Sequence, residues 1–310
     1  IIGAGSEYLM MLLTQILGTS RTIAMENPTY RQAYRVFESL GCQMKPVEMD
    51  AHGMNVRLLE ESGADIAYVM PSHQYPMGVV MPVKRRQELL SWAGRGEKRY
   101  LIEDDYDSEF RYRGKPVPAL QGMDIQGKVI YMGTFSKSIA PAIRVGYLVL
   151  PAPLLAVYKR KCGFYASTVS RIDQKIIYQF LTEGHYERHL NRMRAIYKGK
   201  HDVLMSELKT LGTEFIVQGE YAGLHVLLKY RKAVQLKTGF RTPCGSLPAR
   251  AGCHRRSDRW RFLPRPASPR CNRGWTDHKQ AASCSSPERG RGLERRSAGL
   301  WCRGAADGGT

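Results

Sequence analysis

The segment Tyr100-Leu101-Ile102-Glu103-Asp104-Asp105-Tyr106-Asp107 turns from apolar to acidic within a few residues. A short apolar run of this kind reads as a strand buried on both faces of a sheet, with its acids falling at the carboxyl end. A second run, Val129-Ile130-Tyr131-Met132-Gly133-Thr134-Phe135-Ser136-Lys137-Ser138, repeats the pattern and places a lysine just past the strand end. A third, Ala67-Tyr68-Val69-Met70, leads into Pro71-Ser72-His73-Gln74-Tyr75-Pro76-Met77-Gly78. Between and around these runs the apolar residues take helical spacing.

Working outward, the pattern predicts helices over Ser6–Leu17, Thr29–Leu40, Val56–Ser62, Val83–Ala93, Pro153–Cys162, Ser170–Glu183 and His185–Leu211. Ser6 is the expected N-cap of the first. Strands are predicted over Thr22–Glu26, Gln43–Met49, Asp65–Met70, Arg99–Asp104, Lys128–Gly133, Arg144–Leu150, Glu214–Gln218 and Gly223–Lys229. Such alternation implies an α/β fold with a mostly parallel central sheet and helices on both faces. In that architecture ligands gather beyond the carboxyl ends of the strands. The loops to search therefore follow Ile2, Glu26, Met70, Ile102 and Gly133.

The chain has 310 residues and a formal net charge of +19, which would ordinarily point to nucleic acid. The charge is not spread evenly. Residues 1–230 carry 29 Lys and Arg against 23 Asp and Glu, and residues 231–310 carry 18 against 5. The second segment has no Ile, Met or Tyr and a single Val, so it has little with which to offset the entropy of ordering. We expect residues 1–230 to form the domain and residues 231–310 to be an unpatterned, non-native or disordered tail, as a shifted reading frame would produce. A basic nucleic-acid arm and a small separate domain are the alternatives. Five of the seven cysteines lie in this tail without Cys-x-x-Cys spacing, so no metal site is expected there. The two in the domain, Cys42 and Cys162, fit a reducing cytoplasm. No run of about 18 apolar residues suggests a membrane span. Ile1-Ile2-Gly3-Ala4-Gly5 lacks the charged start of a signal peptide and reads as a chain opening in mid-domain at the end of a strand.

Each strand-end loop has a plain reading and a chemical one. Gly3-Ala4-Gly5-Ser6 enters a helix, whose N-terminus suits a phosphate, although glycine could serve only the turn. Tyr30 could stack on a flat ring or merely pack its helix. His73 alone reads as structural. The five acids between Glu103 and Glu109 read by default as a solvated turn, with metal binding a minor option, yet they are well placed to meet a buried cation. Lys137, flanked by Ser136 and Ser138, could be a desolvated nucleophile, or one more surface lysine.

Taken together, in this order, Pro71-Ser72-His73-Gln74-Tyr75-Pro76, Glu103-Asp104-Asp105-Tyr106-Asp107-Ser108-Glu109-Phe110-Arg111-Tyr112 and Gly133-Thr134-Phe135-Ser136-Lys137 resemble the cofactor site of fold-type I aminotransferases, above all the MocR/GabR branch of the GntR-type regulators. The resemblance covers about residues 1–230. It implies the large domain of a pyridoxal 5'-phosphate-dependent transferase, incomplete at both ends, with a truncated small domain. It implies that Lys137 forms the Schiff base to the cofactor, that Asp104 faces the pyridine nitrogen and that Tyr106 bonds the ring's phenolic oxygen. By the same likeness Tyr30 stacks on the ring, while the backbone of Ala4, Gly5 and Ser6 joins Thr134, Ser136 and Arg144 around the phosphate. No metal ligand is implied. His73 and Gln74 depart from the Asn-Pro-x-Gly turn of plain aminotransferases.

The function so implied is an effector domain that senses an amine or amino acid by Schiff-base exchange at Lys137. A homodimer, a cytoplasmic location and DNA binding through a separate N-terminal helix-turn-helix domain come with it. The alternative is a catalytic aminotransferase, with turnover expected to be weak in this chain. A basic DNA-binding module resting on the tail charge is a third, poorer reading. The family's arginine for a substrate carboxylate has no matching motif here.

Overall fold

The computed structural model describes residues 1–115 and 117–230, together with the backbone of Trp260–Pro264. Strands β1 (Ile2–Gly3), β2 (Thr22–Asn27), β3 (Gln43–Asp50), β4 (Gly53–Met54), β5 (Ile66–Val69), β6 (Tyr100–Asp105), β7 (Val129–Thr134) and β8 (Gly146–Val149) form one sheet in the order β1-β8-β7-β6-β5-β2-β3-β4. The five central strands β7, β6, β5, β2 and β3 are parallel. β8 runs antiparallel to β7 and β1, and β4 to β3. A second, antiparallel sheet joins β9 (Phe215–Gln218), β10 (His225–Tyr230) and β11 (Trp260–Pro264).

The helices are α1 (Ser6–Leu17), α2 (Arg31–Ser39), α3 (Val56–Glu61), α4 (Val83–Gly94), α5 (Leu120–Met123), α6 (Ala152–Lys161), α7 (Arg171–Thr182) and α8 (His185–Thr210). Alternation along the central strands sorts their side chains to two cores. Ile66, Tyr68, Ile102, Ile130 and Met132 pack with Leu9 and Leu13 of α1 and Phe37 of α2. Ala67, Val69, Leu101 and Val129 pack on the other face with Leu89 and Trp92 of α4. Full burial of side chains such as Leu9, Leu13 and Leu89 is worth about 1.5–3 kcal/mol each. This two-sided burial is why the strands read as unbroken apolar runs.

From β2 the chain steps to β3 on one side, then returns to the other side of β2 as β5 and proceeds outward through β6 and β7. The order therefore reverses between β2 and β5, which is where a crevice opens in such sheets. Because these strands are parallel, the loops holding Tyr30, His73, Asp107 and Lys137 all leave the same edge.

Three expectations need correction. Ser6 does not cap α1. Gly5 occupies the N-cap with φ +90° and no side-chain capping bond forms, so Ser6 opens the helix. A Cβ on Gly5 would lie 2.7 Å from the Arg144 Nη2, so glycine is demanded twice over. The strand expected over Arg144–Leu150 is shorter, Gly146–Val149, because Arg144 takes a left-handed conformation (φ 49°) after a 3-10 turn at Pro141–Ile143. The acidic turn is not solvated, as described below.

β4, α5 and β11 were not anticipated; β11 lies within residues 231–310, and the rest of that segment lies outside the described residues. No helix among the described residues is long and apolar enough to cross a membrane.

Candidate functional site

Four of the five acids from Glu103 to Glu109 are spent on structure. Glu103 accepts the amides of Leu120 and Gln121, both at 2.9 Å, and so opens α5. Asp105 accepts from the Ser108 hydroxyl and the Tyr131 hydroxyl, each at 2.7 Å. Asp107 lies 3.0 Å from His73 Nδ1 and accepts the Leu224 amide at 2.8 Å. Glu109 accepts from the Tyr186 hydroxyl at 3.3 Å. The remaining acid, Asp104, points to the α1/α2 face, where the Tyr68 hydroxyl donates to its Oδ2.

Burial drives the Asp104 carboxyl up to about 7, with the nearby charges of Asp105 and Asp107 adding to the rise and the Tyr68 bond opposing it. Tyr68 is its hydrogen-bond partner among the described residues, and no cation faces it there. Such a carboxyl is suited to a cationic ligand arriving from the open edge, which would restore its charged form.

The other expected residues fall around it. The Tyr106 hydroxyl donates to the His73 carbonyl at 2.8 Å, and burial next to Asp107 and Asp104 raises its pKa well above the usual tyrosine value. Tyr30 stands at the N-cap of α2, its ring edge-on to Tyr75 at 5.7 Å. Partial burial raises its pKa, and the charges of Glu7, Asp104 and Arg144 all reach its hydroxyl. Tyr30, Tyr75 and Tyr106 thus line the face to which Asp104 points.

On the same side α1 begins. Arg144 places its guanidinium against Gly5 and donates to Glu7 Oε2 at 3.0 Å. A non-glycine residue held left-handed costs about 1–3 kcal/mol, a strain typical of ligand-holding positions. The amides of Ala4 and Gly5 are already engaged, with Thr168 Oγ1 at 3.0 Å and the Gly3 carbonyl at 2.9 Å. The donors left for an anion are therefore those of the first turn of α1, starting with Ser6. This is narrower than the run Ala4, Gly5 and Ser6 expected from sequence.

Past β7, the Ser136 amide bonds Thr134 Oγ1 at 3.1 Å, and the Ile139 amide closes a turn on the Phe135 carbonyl at 2.8 Å. Lys137 rides on this turn and is exposed. Among the described residues its amine has no hydrogen bond or ion pair, so it is not held to Asp104 or Tyr106 by any direct contact.

Sequence reasoning missed Tyr68, Glu7 and the Gln74 tie. Gln74 donates to the carbonyls of Pro28 and Tyr75, both at 2.9 Å, which joins the loops after β2 and β5. A signal for Tyr68 existed, since it is the one polar side chain in the buried strand Ile66-Ala67-Tyr68-Val69. Its partner was not readable. Tyr68 pairs with Ile102, and Asp104 is the diagonal neighbour two residues on, a relation that needs the register.

These observations meet a consistent set of relatives. The family model for aminotransferase class I and II matches residues 1–242. The uncharacterized HTH-type transcriptional regulator YdeL of Bacillus subtilis (strain 168) is 40% identical over 229 residues, covering 74% of this chain and 49% of that protein. The probable rhizopine catabolism regulatory protein MocR of Rhizobium meliloti is 32% identical over 237 residues, covering 76% and 48%. Among solved structures, the multiple substrate aminotransferase of Thermococcus profundus aligns with a TM-score of 0.68 at 28% identity, covering 76% of this chain and 61% of that one. The chain spans about half the length of the curated relatives it matches. The parallel sheet with its switch point, the buried Asp104 at the shared strand edge and the match along residues 1–242 agree, and the chain belongs to the aminotransferase class I and II family.

Proposed function

We propose that residues 1–230 are the pyridoxal-phosphate-binding, aminotransferase-like effector region of a MocR/GabR-type transcription regulator, which reads an amine or amino acid through Lys137. The observation that carries this reading is the 40% identity to an HTH-type regulator, against 28% to the aligned aminotransferase structure. Lys137 would carry the cofactor on its Nζ, and the amine of the effector would take the place of that Nζ, leaving Lys137 a free amine. Asp104 would hold the proton of the ring nitrogen, Tyr106 the phenolic oxygen, and Tyr30 the ring face. Ser6, Thr134, Ser136 and Arg144 would surround the phosphate, with Ala4 and Gly5 shaping the loop rather than donating to it. When bound, the cofactor supplies an electron sink for the substrate carbon. The buried, cation-less Asp104 and the cradle between Gly5 and Arg144 support the fit.

One residue opposes it. Glu7 pairs with Arg144 at the start of α1, where a phosphate dianion would sit. Unit charges about 4 Å apart repel by about 1 kcal/mol in water and more when partly shielded from it. Glu7→Gln is therefore expected to tighten pyridoxal phosphate binding about fivefold or more, read by fluorescence titration at low salt. Unchanged or weaker binding would place the phosphate elsewhere.

The regulator reading assigns DNA recognition to a helix-turn-helix segment outside residues 1–310, and a cytoplasmic location. A homodimer is part of it. The exposed Ile172 and Ile176, one turn apart on α7, offer an apolar face for a second copy.

The competing reading is a catalytic aminotransferase, which the likeness to the Thermococcus profundus enzyme keeps open. The test is to add amines and amino acids to the cofactor-loaded chain and follow both its visible spectrum and keto-acid release. The expected result is a spectral response with turnover weak or absent. Sustained keto-acid release would establish the enzyme instead.

A further inference from the structure

A second cluster lies behind Tyr106. His73 comes from the loop after β5, Asp107 from the loop after β6, and His225 opens β10. All three are buried, at 1%, 1% and 9% exposure. One nitrogen or oxygen from each lies within 4.8 Å of those from the other two. The rings of His73 and His225 are 4.3 Å apart.

The chain makes room for this cluster. Gly223 has φ +68°, and a Cβ there would lie 1.7 Å from His73 Nδ1 and 2.5 Å from Asp107 Oδ2. Asp107 Oδ2 accepts the Leu224 amide and lies 3.0 Å from His73 Nδ1, while among the described residues Oδ1 has only the longer contact to that nitrogen, at 3.3 Å. His225 Nε2 lies 3.3 Å from the Pro76 carbonyl. His73 Nε2 is fully buried and has no hydrogen-bond partner among the described residues. Leaving such an atom unsatisfied costs about 1–3 kcal/mol.

We propose that His73, Asp107 and His225 form a binding site for a divalent transition cation of the zinc class. Two imidazole nitrogens and one carboxylate oxygen are a donor set such ions accept, with a water completing four ligands. Tetrahedral bonds of about 2.1 Å put neighbouring ligand atoms about 3.4 Å apart. The three ligand atoms, within 4.8 Å of one another, would have to draw closer on binding. The ion would join the loops after β5 and β6 to β10 and fix the hydroxyl-bearing loop at Tyr106 from behind. This site stands apart from the pyridoxal phosphate reading and is tested without that cofactor.

The experiment uses the full chain, stripped of metal by a chelator. Zn²⁺ is titrated by calorimetry, and Co²⁺ serves as the absorbing probe. Wild type is compared with His225→Gln, His73→Gln and Asp107→Asn, each checked for folding by circular dichroism. The expected result is one tight Zn²⁺ per wild-type chain, weakened at least tenfold in His225→Gln, with a Co²⁺ spectrum of nitrogen and oxygen ligation. His225 is the key variant because it lies at the edge of the cluster, so its loss of affinity is read on a folded chain even if Asp107→Asn unfolds. Equal affinity in wild type and His225→Gln overturns the proposal, as does a thiolate-type Co²⁺ spectrum, which would trace binding to the cysteines between Cys244 and Cys302.

Discussion

Lys137→Ala abolishes the visible absorption band that pyridoxal phosphate is expected to acquire on the wild-type chain, and with it borohydride-trappable attachment. Lys137 is exposed on the turn closed by Ile139 and Phe135, and its amine has no partner among the described residues. Substitution there should change stability by no more than about 0.5 kcal/mol, so a folded variant is assured for the comparison. The loss would then be chemical. Without the amine the cofactor keeps only its phosphate and ring contacts, and its affinity should fall by tenfold or more, about 1.4 kcal/mol per decade. A band of equal intensity in Lys137→Ala would move the attachment to another lysine and remove the basis of the effector reading.

Asp104→Asn should have opposite effects on the unliganded and the cofactor-bound chain. In the unliganded chain the folded pKa of Asp104, about 7, lies above its unfolded value. A raised carboxyl pKa contributes stability that is present at low pH and lost as pH rises from about 4 through about 7. At pH 8 the wild type therefore holds a buried charge without a cation, at a cost of up to a few kcal/mol. Asparagine keeps the Tyr68 hydrogen bond and removes that charge. The unliganded variant should melt several degrees above wild type at pH 8 and close to it at pH 5. Pyridoxal phosphate binding should respond the other way. A charge-assisted bond to the ring nitrogen is worth about 1.5–3 kcal/mol, so affinity should fall about 10- to 100-fold. Melting curves at both pH values, with and without cofactor, read all four outcomes. A variant that is less stable than wild type at pH 8 and binds the cofactor equally well would show that Asp104 is a structural acid.

Much of the fold was legible because each element repeats a local period. The twelve-residue helix Ser6–Leu17 emerged with its observed bounds, since its apolar face and the flanking glycines are both local signals. β5 and β7 were legible because burial on both faces leaves an unbroken apolar run. The cap of α1 was misread, because Ser6 satisfies the local rule while Gly5 is chosen by Arg144, a residue far along the chain. The acidic turn was misread for the same reason. Glu103, Asp105 and Asp107 reach amides and hydroxyls contributed by α5, β7 and the residue just before β10, none of them nearby in sequence.

The residue types at the strand ends, their order along the chain and the alternation of strand and helix were properties of the sequence alone, because periodicity and strand-end chemistry are written over a few residues. Which acid stays uncommitted, which amides remain for an anion, and that His73, Asp107 and His225 meet at all were decided in three dimensions. Register and crossover bring together side chains up to 152 positions apart, and tertiary contact decides which hydrogen-bond partners each of them finds.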